Sequence, residues 1–396
     1  MPITIDGTGT ITGATTLAST VASPTFTTPA LGTPASGILT SCTGVPFDGF
    51  KNRIINGAMV IDQRNAGASV TPTNGQYTLD RWVCWSSQAS KYSTQQNAGA
   101  VTLPEGFSNY LGITSLSAYA IGAGDYFFLN TRIEGFNTAD LQWGTANAKT
   151  VTLSFKVYSS LTGTFGGTLL NSAQTRSYPF TYTVSSANTW TSISITIAGD
   201  TSGTWIGATN GIGIGLNFGL GVGSTYSGTA GAWAGATYYS ATGATSVVGT
   251  NGATFYITGV QLEKGSTASS FDYRSIGTEL ALCQRYACSS FPSGTAWGQN
   301  AGTTGAFSYI ALVSGTAAGF GVSMPFPVAM RASPTFTYYN PSAANDKWRN
   351  TIANADSASG AAAQIRTWGS QVTNYQVAGD VASQTCQVHW SASAEL

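Results

Sequence analysis

A set of residues toward the end of the chain combines aromatic rings with amide and charged side chains. It consists of Tyr338, Tyr339, Asn340, Asp346, Trp348, Arg349 and Trp368. A sugar offers a face of C–H groups and a rim of hydroxyls, which suits an aromatic platform flanked by polar side chains. These residues are therefore our candidate binding site. Aromatic residues that fill the core of a small β-domain would give the same composition, so that alternative stays open.

Nucleophilic catalysis would have to use His389, because the chain has one histidine. A Cys/His pair would need a thiol such as Cys386, but three residues along a strand place the two side chains on opposite faces. We expect a surface histidine or one whose hydrogen bonds are satisfied within a strand. No catalytic residue is assigned, and no metal site built from His and Cys is expected.

A glycosidase needs two facing carboxylates, and the sequence offers no clear pair. Asp125, Glu134 and Asp140 lie nearest to one another, and Asp346 and Asp356 flank Trp348. Asp in a Gly/Asn-rich loop commonly bonds its own backbone, so turn or cap roles are expected. Walker loops are absent, and Gly-x-Gly steps carry no nucleotide signal in so glycine-rich a chain. We predict a protein that is not an enzyme and has no cofactor.

The composition is that of a strand-rich surface protein. Charged residues make up 8% of the chain and aromatic residues 12%, with 48 glycines, so Thr, Ser, Asn and Gln must provide most of the solubility. The formal net charge is zero and no basic run occurs, which argues against a nucleic-acid partner.

The cysteines and the first residues indicate where the protein is made. The five cysteines are scattered without metal spacing, so we expect free, mostly buried thiols at Cys42, Cys84, Cys283, Cys288 and Cys386. The start MPITIDGTGT lacks the features of a signal peptide, and no run of eighteen apolar residues occurs. We expect assembly in a reducing cytoplasm and no membrane insertion.

Two regions differ sharply in composition. Residues 1–50 are mostly Thr, Gly, Ala, Ser and Pro, which cannot bury a core alone but can run extended along a larger particle. We interpret this region as an attachment stalk, with a floppy leader as the alternative. From Lys51 onward, alternating strands begin.

Period-two alternation predicts half-buried antiparallel strands between residues 51 and 274. In 151–157 the apolar side chains fall on one face, and the isoleucines of 193–197 repeat the pattern. Further predicted strands are 79–85, 126–133, 179–184 and 255–262. Separated by Gly, Asn and Ser turns, they predict a jelly-roll-like β-sandwich.

One predicted strand, 211–220, has apolar residues on one face and glycine at four positions on the other. A bare face indicates a bulge, a curved sheet or another backbone in close approach, and a subunit interface is one more candidate. The loop 221–252 is too long for an idle connector. We expect it to fold over the sandwich, with an exposed contact role as the alternative.

The region after the sandwich is predicted to contain a short helix and a second β-rich unit. Ser275 can cap a helix over 276–287, so 275–290 is interpreted as a helical connector. Residues 291–396 show strand-like alternation in 307–313 and 318–326, punctuated by prolines. We interpret them as a β-rich tip.

Several segments together resemble the shared block of tailed-bacteriophage tail fibre and receptor-binding proteins. They are NRIINGAMVIDQRNAG (52–67), YTLDRW (77–82), GATFYITGVQLEKGSTASSFDYRS (252–275), ELALCQRY (279–286) and PFPVAMRASPTFTYYN (325–340). The sandwich is similar to the jelly roll of carbohydrate-binding modules, whose last strand also ends in a Gly-Val-Gln-Leu-Glu-like sequence.

The resemblance implies a homotrimeric virion fibre in the phage tail, attached through residues 1–50 to tail or adaptor proteins. Its distal end would adsorb to a host surface polysaccharide or outer-membrane receptor, without catalysis. Family jelly rolls sometimes hold a structural calcium ion, but no ligands are assignable here. A tailspike-type polysaccharide depolymerase and a capsid-attached decoration fibre are the alternatives.

Overall fold

The alternating segments form antiparallel strands that stack as two sheets. The computed structural model describes residues 51–310, 322–356, 364–367, 372–376 and 385–396. The predicted stalk at 1–50, including Cys42, therefore lies outside the described residues.

The strands before the helix are β1 Gln76–Leu79, β2 Trp82–Ser86, β3 Tyr92–Gln96, β4 Leu111–Ser115, β5 Tyr126–Glu134, β6 Val151–Ser159, β7 Gly163–Leu170, β8 Ser177–Val184, β9 Thr191–Ile197, β10 Ile212–Val222, β11 Ser227–Gly228, β12 Ser240–Ala241 and β13 Thr254–Lys264. Short 3₁₀ turns lie at Ala98–Ala100, Gly135–Asn137, Ala139–Leu141 and Ser224–Tyr226. One sheet has the order β1-β2-β5-β10-β7-β8 and the other β3-β4-β13-β6-β9.

The core lies between these two sheets and explains why they form. Leu153, Phe155 and Val157 on β6 and Leu216 and Phe218 on β10 are buried, while the intervening residues face outward or carry polar groups. Burying one such side chain stabilises the fold by about 1.5–3 kcal/mol, and period-two alternation brings a whole row to the same face. The predicted fold class, an all-β chain with a jelly-roll sandwich, is confirmed.

The segment predicted as one strand over 79–85 is a hairpin instead. Asp80 and Arg81 form the turn between β1 and β2, and Arg81 has a φ of 69°. Both side chains are buried, because Gln63 donates to Asp80 and Arg81 pairs with Glu395. Those partners lie far away in sequence, so local alternation gave the wrong element here.

The glycine face of β10 is covered at two positions by side chains of the same protein. A β-carbon on Gly219 would lie 2.6 Å from Ser240 Oγ, and one on Gly213 would lie 2.5 Å from Thr138 Oγ1. The loop 221–252 folds over the sandwich, as expected: the amide of Thr245 donates to Thr164 O at 2.7 Å. Close approach of the Ser240 and Thr138 side chains therefore explains these two glycines.

The connector contains a shorter helix than predicted, α1 Ile276–Gln284. Ser275 Oγ caps it by accepting from the amide of Thr278 at 3.4 Å. Ala287, predicted to be helical, begins a strand instead and pairs with Ser393. Ile276 is 64% exposed, whereas Cys283 on the same helix is buried.

Polar side chains of the quoted segments tie the sandwich to this helix. Asn52 Nδ2 donates to Val260 O at 3.0 Å, and its Oδ1 accepts from the amide of Leu262 at 3.1 Å. Arg274 pairs with Glu279 at 3.1 Å, and both side chains are buried. Asn52, Arg274 and Glu279, which we call the seam network, therefore have structural roles within the quoted segments.

The strands after the helix are β14 Ala287–Ser289, β15 Phe307–Ile310, β16 Val322–Pro325, β17 Thr335–Tyr339, β18 Arg349–Asn350, β19 Ala355–Asp356, β20 Gln364–Thr367, β21 Val372–Gln376 and β22 Thr385–Ser393. One strand, β22, pairs with β14, β15, β17 and β18, and a separate sheet has the order β16-β21-β20. The predicted strands 307–313 and 318–326 run partly through residues outside the described ones.

Residues 49–396 belong to one unit, in which residues after the sandwich contact it directly. Arg285 binds both oxygens of Glu134, at 2.9 and 2.6 Å, and Arg331 Nη1 donates to Asn210 O at 2.9 Å. The division of the chain into domains at 51–274, 275–290 and 291–396 stays a prediction. In the described part of the chain, no helix is long and apolar enough to cross a bilayer.

Candidate functional site

A pocket opens on the outer face of the six-stranded sheet. Along β5, Phe127 and Leu129 point into the core, so Phe128, Asn130 and Arg132 point outward. The lining is completed by residues of β2, β7, β10, the turn after β7 and the covering loop: Trp85, Tyr126, Leu170, Asn171, Ser172, Gln174, Ile212, Gly215, Asn217 and Tyr239. We call this the β5–β10 pocket; its volume is about 90 Å³.

Two facing amides form the floor of the β5–β10 pocket. Asn130 and Asn217 lie directly opposite each other, and Asn130 Nδ2 donates to Asn217 Oδ1 at 2.7 Å and to Leu216 O at 3.1 Å. Their exposed fractions are 4% and 1%. Asn130 Oδ1 and Asn217 Nδ2 have no partner among the described protein groups. Buried polar atoms are normally hydrogen-bonded, so one acceptor and one donor are left unsatisfied by the protein here.

Gly215 differs from the other outward glycines of β10. A β-carbon there would lie 3.7 Å from Asn130 Nδ2 and 3.9 Å from Leu170 Cβ, which are ordinary contacts. Packing of the chain itself therefore does not require glycine at this position. The lack of a side chain instead deepens the pocket beside the two amides.

Aromatic rings form one side of the pocket. Trp85 and Phe128 stack at 6.2 Å with an interplanar angle of 21°, and Tyr239 lies 4.7 Å from Phe128. Tyr126 adds an edge contact with Tyr239 at 5.6 Å. Aromatic rings beside hydrogen-bonding amides suit a ligand with both apolar faces and polar edges.

Charged side chains are sparse among the described lining residues of the pocket. Arg132 is the one charged side chain among its described lining residues, and its guanidinium lies 5.3 Å from the Trp85 ring centre. Burial, followed by the neighbouring phenols of Tyr226 and Tyr126, raises the pKa of Tyr239. Its neutral hydroxyl donates to Gln174 Oε1 at 3.0 Å. A pair of carboxylates for glycoside cleavage does not line this pocket.

The predicted site residues are spread over the C-terminal sheet. Tyr338 and Tyr339 lie on β17 and pair with Trp390 and His389 of β22. Tyr338 packs against the local core, whereas Tyr339 OH lies 3.1 Å from Ser391 Oγ. Both rings are half-buried.

Two other predicted residues meet at Asp356. Asn340 is buried and donates to Asp356 Oδ1 at 2.8 Å, and Arg349 Nη1 lies 3.4 Å from the same atom. Burial opposes ionisation of Asp356, but hydrogen bonds from Asn340, Asn345 and Arg349 outweigh it and lower the pKa of Asp356.

The remaining predicted residues do not join that group. Trp348 is 2% exposed and packs near Phe307, with ring centres 6.2 Å apart, whereas Asp346 is exposed. Trp368 lies outside the described residues. Asn340 and Trp348 therefore have structural positions, and receptor binding by the set stays a prediction.

His389 has a structural position as well. It is buried, stacks on Phe291 at 4.2 Å, and places Nδ1 3.1 Å from Ser290 Oγ and Nε2 2.9 Å from Gly302 O. Burial lowers its pKa. The histidine is thus one with satisfied hydrogen bonds, as expected from the sequence. Cys84, Cys283, Cys288 and Cys386 are buried and form no disulfide, as predicted.

A larger cavity occurs elsewhere, but polar groups in its lining are hydrogen-bonded within the protein. A cavity of about 400 Å³ is lined by Phe107, Tyr273, Asn52, Arg274 and Glu279, among others, and the last three belong to the seam network. In the described residues, no group of three or more His, Cys, Asp or Glu side chains is placed to hold a metal ion. A structural calcium ion stays a prediction.

The residues of the β5–β10 pocket were missed from the sequence. Strand 126–133 and the glycine pattern of β10 were both recognised, and Asn130 and Asn217 occupy outward positions on them. The alternation pattern therefore shows that both amides face outward. It does not show that the two strands pair and bring together amides that are 87 residues apart.

Some solved structures are similar to part of this chain. No protein-family model matches it, and no curated protein matches it. A solved structure of a CBM4 is 16% identical, covering 53% of this chain and 98% of its own, with a TM-score of 0.28. The family 11 carbohydrate-binding module of a Clostridium thermocellum cellulosomal cellulase is 12% identical, covering 51% and 98%, with a TM-score of 0.26.

A phage protein also shows similarity. The enzymatically active domain of tailspike protein 4 of bacteriophage CBA120 is 11% identical over 55% of this chain, with a TM-score of 0.31. The match covers 22% of the tailspike structure, so this chain spans about a fifth of its length.

Proposed function

We propose that this protein binds a surface glycan through the β5–β10 pocket and does not cleave it. The observation that carries the proposal is the floor of the pocket, where Gly215 leaves space beside the unpaired atoms of Asn130 and Asn217. Trp85, Phe128 and Tyr239 provide the aromatic side. A sugar hydroxyl both donates and accepts, so it satisfies both amides, while a C–H face packs on a ring.

The proposed setting is a virion. The segments between Asn52 and Tyr286 resemble tail fibre proteins, so we propose a homotrimeric tail fibre attached through residues 1–50 and assembled in the host cytoplasm. Three copies would add their weak contacts by avidity, because each further contact is effectively intramolecular. This arrangement allows a small pocket of modest affinity to hold a particle on a cell.

The pocket is tested with a filling substitution. The purified protein and Gly215→Val are applied to an array of bacterial lipopolysaccharides and capsular polysaccharides. Valine places two methyl groups in the pocket at a strand position that tolerates them, so binding should be lost while the unfolding midpoint stays close to that of the wild type. Gly277→Ala, at an open position on α1, is the matched control. If Gly215→Val bound glycans as well as the wild type does, the β5–β10 pocket would not be the binding site.

The absence of catalysis and the tail location need separate experiments. The best-bound polysaccharide is incubated with the protein and assayed for new reducing ends; we expect none, and their appearance would establish a depolymerase. Light scattering should give the mass of a trimer. Soluble protein should block phage adsorption, and immunogold labelling should mark tails, whereas labelled heads would establish a capsid decoration fibre.

A further inference from the structure

We infer that the β5–β10 pocket receives one terminal or branch sugar of a glycan and excludes internal runs of a linear chain. This inference rests on the proposed glycan-binding function and specifies which part of the glycan enters. It follows from contacts that close the sides of the pocket rim. A glycan chain that enters above the two amides therefore cannot continue along the surface of the sheet.

The aromatic end is closed by rings that contact one another. Tyr239 lies 5.6 Å from Tyr126 and 5.0 Å from Tyr226, and Tyr126 lies 5.8 Å from Tyr226. The amide of Tyr239 also donates to Tyr226 O at 2.8 Å, which fixes the loop that carries the ring. A saccharide therefore meets a packed aromatic wall at this end of β5.

At the opposite end of the pocket, Arg132 and Leu396 close the rim. Its Nη1 donates to the backbone oxygen of Leu396, which also accepts from Tyr77 OH at 2.9 Å. The same guanidinium lies over Trp85, so it joins the side wall at this corner. Arg132 lies four positions after Phe128 on β5, which is about 13 Å along the strand.

The side formed by the turn after β7 is joined to the aromatic wall. Tyr239 OH donates to Gln174 Oε1 at 3.0 Å, and Thr237 Oγ1 donates to Gln174 O at 2.7 Å. Asn171 Oδ1 accepts from the amides of Thr175 and Arg176, at 2.9 and 3.0 Å, which holds the turn in place. The rim therefore consists of fixed groups.

The size of the space agrees with this closure. Pockets that enclose drug-sized ligands have volumes of about 300–1,000 Å³. The β5–β10 pocket has about 90 Å³. That volume accepts one sugar ring seated partly in the pocket, with the rest of the glycan in solvent.

A length series tests the inference. Fragments of one to six sugars are prepared from the glycan that binds best on the array, and each is titrated calorimetrically against the full chain. The dissociation constants should agree within threefold from two sugars upward. Affinity that rises tenfold or more between two and six sugars would overturn this inference and leave glycan binding intact. Failure of every glycan to bind would overturn both.

A variant that opens the wall gives a second readout. Tyr239→Ala removes the ring that joins Tyr126, Phe128 and Gln174, so longer fragments should then bind at least threefold more tightly than short ones. Trp190→Ala, on the outer face of the other sheet, is the matched aromatic control and should keep a flat length series. A flat series for Tyr239→Ala as well would contradict closure by that wall.

Discussion

Gln63 donates two hydrogen bonds of 2.7 Å to Asp80, from its amide to Oδ2 and from Nε2 to Oδ1. The carboxyl is fully buried at the turn between β1 and β2. Burial raises its pKa to about 6 from an ordinary 3.8, against the lowering effects of Arg64 and Gln63. The turn that the alternation pattern did not predict is thus held by Asp80, a carboxyl group that titrates at an experimentally accessible pH.

We expect Asp80→Asn to flatten the pH dependence of stability. A raised folded-state pKa stabilises the protein fully below about pH 4, and this contribution disappears as the pH rises through about 6. The whole shift corresponds to about 3 kcal/mol, of which about 1.4 kcal/mol falls between pH 5 and pH 8. Urea unfolding of both proteins at these two pH values measures the difference. Identical changes in the two proteins would show that another group titrates.

Arg285→Ala should destabilise the contact between the sandwich and the helix. It leaves the Glu134 carboxylate, whose side chain is 2% exposed, with Tyr286 OH as its remaining hydrogen-bond donor. Losing one partner of a buried pair costs about 3–5 kcal/mol, and we expect about 3 because the Arg285 side chain is one-third exposed. Lys264→Ala removes an exposed partner of Asp140 and should cost less than about 1 kcal/mol. Chemical denaturation compares the two, and equal losses would contradict the assignment.

Two alanine substitutions on β10 should distinguish a glycine that packing requires from a glycine that leaves space for a ligand. Gly219→Ala puts a methyl group 2.6 Å from Ser240 Oγ and should cost about 1–3 kcal/mol, because overpacking strains the covering loop. Gly215→Ala meets ordinary contacts and should be neutral or slightly stabilising. Thermal unfolding followed by circular dichroism measures both. A larger loss at Gly215 than at Gly219 would refute this account of the glycine face.

Trp85→Ala should weaken binding to the best array glycan by roughly tenfold, because a stacked aromatic ring contributes about 1 kcal/mol or more beyond its burial. The measurement is surface plasmon resonance on immobilised glycan. Trp190→Ala should bind like the wild type. A loss of similar size in both variants would mean that the effect is one of stability.

Trp348→Ala tests whether this predicted binding residue is part of the core. Removing a tryptophan that is 2% exposed should cost about 3–5 kcal/mol of stability in the C-terminal sheet. Hydrogen exchange of β22 amides reports that loss locally. An unchanged exchange pattern together with weaker adsorption to host cells would favour the receptor role predicted from the sequence.

Alternation made the sandwich predictable because one face of each strand is buried. The row at 151–157 shows this, since Val151, Leu153, Phe155 and Val157 all lie in the core. Loop 221–252 was also expected to fold over the sheet. Composition and periodicity therefore sufficed where burial follows from local pattern.

Long-range pairing set the limit of the sequence-based prediction. Asp80 and Arg81 are buried because Gln63 and Glu395 reach them, and nothing near position 80 encodes that. Asn130 meets Asn217 only through the register of β5 and β10. The C-terminal aromatic residues were selected by composition, which does not distinguish a buried ring from an exposed one.

Strand β22 has a consequence for the order of folding. Its nine residues pair with β14, β15, β17 and β18, all of which leave the ribosome before it. Because the sandwich strands are complete by residue 264, they can begin to pair while the rest of the chain is still being made. Among the described strands of that sheet, β14, β15 and β17 have no partner other than β22, whereas β18 also pairs with β19. The edges of β14, β15 and β17 therefore stay open to other chains until residues 385–393 emerge, and the speed of translation up to that point governs how long they are exposed.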